Sequence, residues 1–212
     1  MNSVALSALK TIVCSELTPK LSLKRKNILE KNKDIIEKII TLFHEQGDSE
    51  YGGEPVTQGE HALQAAHLAL AEQAPTSLVV ASLLHDVGHL LHALPDDAPE
   101  QGIDDLHEEL GHRFLIKYFT QAVSEPVHLH VAAKRYLCAV EPDYFALLSE
   151  PSVISLHLQG GPMSAEECQA FEANPYYRDA VQLRRYDDMA KVPNLPVQPI
   201  EFYASMLREH LK

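Results

Sequence analysis

The sequence predicts an all-α fold, and three observations carry that prediction. Apolar residues recur at helical spacing between residues 30 and 46, where Ile35, Ile36, Ile39, Ile40 and Phe43 form one stripe and Gly47 fits a C-terminal stop. Two capping boxes, "TQGE" at 57–60 and "SAEE" at 164–167, mark helix starts. No run of alternating apolar and polar residues is long enough for a sheet.

The remaining elements follow in order. "HALQAAHLAL" continues the first capping box as a helix. "APTSLVVASLLHDVGHLL" starts a third helix near Thr76, with His85 and Asp86 inside it. "DDLHEELGHRFLIKYF" opens with acidic residues, which suit the positive end of a helix dipole. In "SEPVHLHVAAKRYL", Ser124 reads as a cap and Pro126 as a first-turn proline. Helical patterns return at about 176–191 and 199–210. "GDSEYGGEPV" and "LQGGPM" carry the glycines and prolines of loops. Residues 1–20 read as a loosely ordered extension and 21–212 as a single helical domain.

Composition narrows the function. Net charge is −12 with histidines neutral, and the only dense basic run is "LKRK" at 23–26, which argues against nucleic acid as a partner. The most apolar stretch, 78–94, is interrupted by His85, Asp86, His89 and His92, so no membrane span is expected. Cys14, Cys138 and Cys168 are odd in number and lack metal-like spacing; with no signal peptide pattern, they point to a reduced, cytoplasmic protein.

The chain has 12 histidines. One or two ligand-type side chains lie close to the apolar stripe of each of several helices: His61, the dyad His85–Asp86, His107, His130 and Asp187. Buried ionisable groups need partners, and a metal ion bound between facing helices satisfies several at once. Imidazole and carboxylate donors suit iron, manganese or zinc. Taken singly, a histidine is more often structural, and His44, His67, His92, His112, His157 and His210 are read that way. His128 and His130 point to nearly opposite sides of a helix, so only one can face a site; His130 shares its face with Lys134 and is preferred. Spacing leaves Asp187 and Asp188 unresolved.

His61, His85–Asp86, His107, His130 and Asp187 resemble the H…HD…H…H…D pattern of the HD-domain superfamily. "YGGEPVTQGEHALQAA", "LLHDVGH", "HVAAKRYL", "QGGPM" and "RRYDD" resemble, in the same order, one branch: the HD-domain mixed-valence di-iron oxygenases that cleave organophosphonates. The similarity runs from about residue 35 to the C-terminus. It implies an HD-domain helical bundle with a di-metal site between its helices. It implies two iron ions, Fe(II) and Fe(III), with O2 as co-substrate. His61, His85, Asp86 and Asp187 would hold one iron, and Asp86, His107 and His130 the other, with Asp86 bridging. Lys134 and His89 would contact the phosphonate, with Ser152, Ser155 and Gln159 as further polar contacts. Tyr51 would occupy an iron position until substrate arrives, and Glu54 would hold the substrate's amino group. The implied substrate is a small 1-hydroxy-2-(alkyl)aminoethylphosphonate, cleaved to phosphate and glycine or an N-methylated glycine by a monomer or small homo-oligomer. The alternative on the same ligands is a metal-dependent phosphohydrolase acting on a nucleotide or phosphate monoester.

Overall fold

The computed structural model describes residues 34–91 and 105–212. The expected N-terminal extension, "LKRK" and His92 lie outside the described residues. Spatial proximity groups the chain into Met1–Ile39 and Ile40–Lys212. In the first unit, the described residues 34–39 are helical.

Every regular element among the described residues is helical, with only two isolated bridges, Glu50–Thr57 and Phe119–Leu211. Helix α1 covers 34–46 and stops where the Gly47 amide donates back to Phe43 O at 2.9 Å. Then come α2 (Gln58–Ala71), α3 (Thr76–Leu84), α4 (Val87–Leu91), α5 (His107–Leu115), α6 (Gln121–Val140), α7 (Glu150–Leu158), α8 (Ala165–Glu172), α9 (Tyr177–Met189) and α10 (Ala204–Glu209). Both capping boxes form: Thr57 and Ser164 each accept from the N3 amide while Glu60 and Glu167 return the bond. Within the second unit, α6 packs on α9, α5 and α3, and α2 packs on α3 and α9. Leu83, Leu84, Val127, Leu137 and Leu183 fill the space between them. No helix among the described residues is long and apolar enough to cross a membrane.

Two local expectations need correction. The helix begun at Thr76 does not run through the dyad: α3 ends at Leu84, and His85 and Asp86 form the turn before α4. The His85 ring donates from Nδ1 to Ser82 O at 2.8 Å, taking up a carbonyl at the helix end. Ser124 is not the cap of α6. That helix starts a turn earlier, after Thr120, and Pro126 lies inside it. Val123 and Val127, both fully buried, anchor the extra turn, and their burial outweighs the amide bond lost at Pro126.

Candidate metal centre

Six side chains from four helices and one turn meet inside the second unit. His61 comes from α2, His85 and Asp86 from the α3–α4 turn, His107 from the first residue of α5, His130 from α6 and Asp187 from α9. All six are buried. His61 Nε2 and His85 Nε2 face each other at 3.0 Å, and His107 Nε2 and His130 Nε2 at 3.1 Å. Asp86 lies between the pairs. Its Oδ2 is 3.5 Å from His61 Nε2 and 3.2 Å from His85 Nε2, while its Oδ1 is 3.5 Å from His107 Nε2 and 3.4 Å from His130 Nε2. Asp187 Oδ1 closes the first group, 3.4 Å from His61 Nε2 and 3.9 Å from His85 Nε2.

The far side of each ring explains this arrangement. His61 donates from Nδ1 to Ala190 O at 2.9 Å, and His130 from Nδ1 to Val127 O at 2.7 Å. With His85 on Ser82 O, three rings are pinned by backbone carbonyls, which only accept. His107 donates from Nδ1 to Asp105 Oδ1 at 2.8 Å. In its neutral form each ring therefore turns an Nε2 lone pair inward, open to a proton or a metal ion. Lone pairs facing at 3.0–3.1 Å repel unless a cation stands between them. The donor set thus fits two cations sharing Asp86, each offered nitrogen and oxygen donors suited to iron.

Electrostatics point the same way. Burial alone disfavours charge on His61, yet hydrogen bonds and charge from Asp187 and Asp86 raise it to about 9. Burial likewise opposes charge on His107, and Asp105 and Asp86 lift it to about 9. Burial raises Asp86, but the charge of His85 and bonds from His130, His61 and His85 hold it well below the carboxylate range. The centre is an anionic cavity that attracts positive charge.

Several neighbours were not legible as functional in the sequence. Asp105 accepts from His107 and lies 2.8 Å from His89 Nδ1, and the two rings stack at 4.1 Å. Its position two residues before His107 is the only signal the sequence offers. Arg184 separates Asp187 from Asp188. Its Nη1 donates to Asp187 Oδ2 at 2.6 Å and its Nη2 to Asp188, which also accepts from Tyr144 OH at 2.5 Å. Asp187 Oδ1 is thereby aimed at the centre, while Asp188 belongs to the support. His128 bonds to Glu109 at 2.9 Å, outside the centre, so of the two neighbours His130 faces it. Gly88 lets α5 approach: a Cβ there would lie 2.0 Å from His107 O.

The expected substrate contacts divide. Tyr51 stacks on His61 at 3.8 Å, and its hydroxyl reaches Asp187 Oδ1 at 3.4 Å. Gly52 and Gly53, with φ of 48° and 77°, make the turn that follows. Lys134 is 3% exposed and donates to Ser155 Oγ at 2.7 Å. Burial, with Arg184 nearby, lowers it to about 7. Gln159 ends α7 with its amide oxygen buried and without a hydrogen-bond partner among the described residues. Glu54 and Ser152 each accept from Lys191 Nζ. Arg135 makes the structural ion pair expected of it, with Glu167 at 2.8 Å.

No family model matches the chain. It is 44% identical over 191 residues to a hydroxymethylphosphonate dioxygenase of Gimesia maris, covering 88% of this chain and 94% of that protein. It is 41% identical over 175 residues to a [1-hydroxy-2-(trimethylamino)ethyl]phosphonate dioxygenase (glycine-betaine-forming) of Leisingera caerulea, covering 82% and 89%. The chain belongs to the organophosphonate dioxygenases. An uncharacterized protein of Acanthamoeba polyphaga mimivirus is 34% identical over 187 residues. As a phosphonate dioxygenase, the chain is an oxygenase enzyme that uses metal and O2.

Proposed function

We propose that this chain is a di-iron oxygenase that uses O2 to cleave the carbon–phosphorus bond of a small 1-hydroxyphosphonate, releasing phosphate. His61, His85, Asp86 and Asp187 would hold one iron, and Asp86, His107 and His130 the other. An Fe(II)/Fe(III) pair would supply one-electron chemistry with O2 and Lewis acidity toward the substrate hydroxyl.

The chain's own residues do the rest. Lys134 offers an ammonium to the phosphonate oxygens, steered by Ser155 Oγ. His89, whose Nδ1 is held by Asp105, would add a second donor through Nε2 when protonated, and Gln159 and Ser152 at α7 would supply further polar contacts. Tyr51 covers His61 and guards the centre until substrate displaces its hydroxyl. Leu83, Leu84, Val87 and Leu90 form a dry wall that keeps water from a reactive step.

The observation that supports this reading most is the pair of facing Nε2–Nε2 contacts divided between the two oxygens of Asp86. The test is phosphate release from 1-hydroxyphosphonates by iron-loaded protein, in air and under argon. Oxidative cleavage stops under argon. Release that persists there, from a phosphate monoester, would establish the phosphohydrolase alternative instead.

A further inference from the structure

Glu54 already has a cation. Lys191 Nζ lies 2.6 Å from Glu54 Oε1, and the two side chains are only 14% and 9% exposed. An ammonium has three protons to donate. Lys191 also reaches Ser149 Oγ at 3.0 Å and Ser152 Oγ at 3.1 Å, which completes the set. Ser149 donates to the same Glu54 oxygen. Lys191 Nζ lies 5.8 Å from the centre of the Tyr51 ring, within cation–π range. The carboxylate and aromatic face that a substrate ammonium would seek are therefore filled by an ammonium of the chain itself.

We propose that Lys191 stands in for a substrate ammonium and sets the substrate class: small 1-hydroxyphosphonates that carry no ammonium group, of which hydroxymethylphosphonate is the simplest. The inference rests on the carbon–phosphorus cleavage proposed above. A substrate amine would meet Lys191 as a like charge. It would have to displace Lys191 from a largely buried pair and leave that ammonium without its counter-charge. An amine-free substrate leaves the pair intact. Lys191 follows Asp187 by four residues, just past the end of α9, so one segment delivers both the carboxylate at the centre and the cation at its rim.

Calorimetric titration of the iron-loaded protein under argon tests this with three probes: hydroxymethylphosphonate, 2-amino-1-hydroxyethylphosphonate and its trimethylated form. Wild type binds the amine-free probe at least about tenfold tighter. Lys191→Met moves the affinity ratio at least about tenfold toward the cationic probes, while Lys191→Arg keeps the wild-type order. Equal or tighter binding of the cationic probes by wild type overturns the proposal, as does a ratio unmoved in Lys191→Met. Should Lys191→Met fail to fold, the wild-type order alone decides. Admitting O2 and measuring phosphate separates the two readings. Binding without phosphate release defeats carbon–phosphorus cleavage while the ratios still judge Lys191. Phosphate release with an unmoved ratio defeats only the role of Lys191. Binding of none of the three defeats both.

Discussion

Helices α5 and α6 carry two histidine pairs, and the pairs differ in what their nitrogens face. The inner pair, His107 and His130, turns Nε2 to Nε2 at 3.1 Å with rings tilted by 48° and Asp86 beside both. The outer pair, His112 and His128, stacks face to face at 4.1 Å and 4°. Each outer Nε2 has its own carboxylate, Glu125 at 3.3 Å and Glu109 at 2.9 Å, and these side chains are partly exposed. Residue types and helices are the same in both, and ligand atoms close enough for an ion occur beside each, Asp86, His89 and His107 on the inside and His112, Glu125 and His128 on the outside. The difference is the unmet lone pair. Outside, each Nε2 faces its own glutamate at a partly exposed edge; inside, the Nδ1 protons are committed to carbonyls and Asp105 while the buried Nε2 atoms converge on one carboxylate, Asp86.

The strongest way to break the comparison is Asp86→Asn, which removes the charge shared by both halves. We expect iron, measured by elemental analysis, to fall below one per chain and phosphate release to drop by roughly 10³-fold or more. Two irons retained would show that the facing nitrogens suffice alone. Next is Asp105→Asn, which weakens the far-side anchor of His107. About 10–100-fold lower affinity for one of the two ions is expected in a chelator competition, with the other unchanged; equal loss at both sites would place Asp105 in general support.

Lys134→Met sharpens the contrast between inner and outer environments. Burial lowers Lys134 to about 7. The folded chain therefore binds fewer protons there than the unfolded chain between about pH 7 and the usual lysine range, and the stability cost of the ammonium is full below about pH 7 and fades as pH rises. The variant gains on the order of 2 kcal/mol at pH 6, less at pH 9, by denaturant titration. In wild type, kcat/KM declines up to about tenfold per pH unit above about pH 7 as the ammonium is lost. The variant is slow and lacks that decline. The smallest effect belongs to His128→Ala: iron content stays the same and stability moves by at most about 1 kcal/mol. Loss of an iron from this variant would erase the distinction drawn above.

What the sequence made legible was local or patterned. The capping boxes at Thr57 and Ser164 depend on residues three apart, and the helical stripe on period alone. The all-helical class follows from these. The six residues singled out for a metal are those the structure brings together: four lie on the buried faces of helices and two, His85 and Asp86, in the buried turn after α3. Contacts between distant segments were not legible. Lys191 meets Glu54 across 137 positions, and nothing near either residue signals it. Asp187 and Asp188 differ only through Arg184, whose fork divides between them. Ser124 misled because serine before a proline is a strong start signal, while burial of Val123 pulled the helix a turn further back.

The interruption of α3 at His85 and Asp86 has a mechanical consequence. On an unbroken helix these neighbours would diverge by about 100°; in a turn they aim at one spot. A single short stretch of backbone therefore carries the carboxylate whose two oxygens serve the two halves. Because α3 packs on α2, α6 and α9 and α4 packs on α5, the turn between them is braced by the helices of both halves. The two metal positions are thus tied to one short piece of backbone, so a shift of that turn would disturb both together.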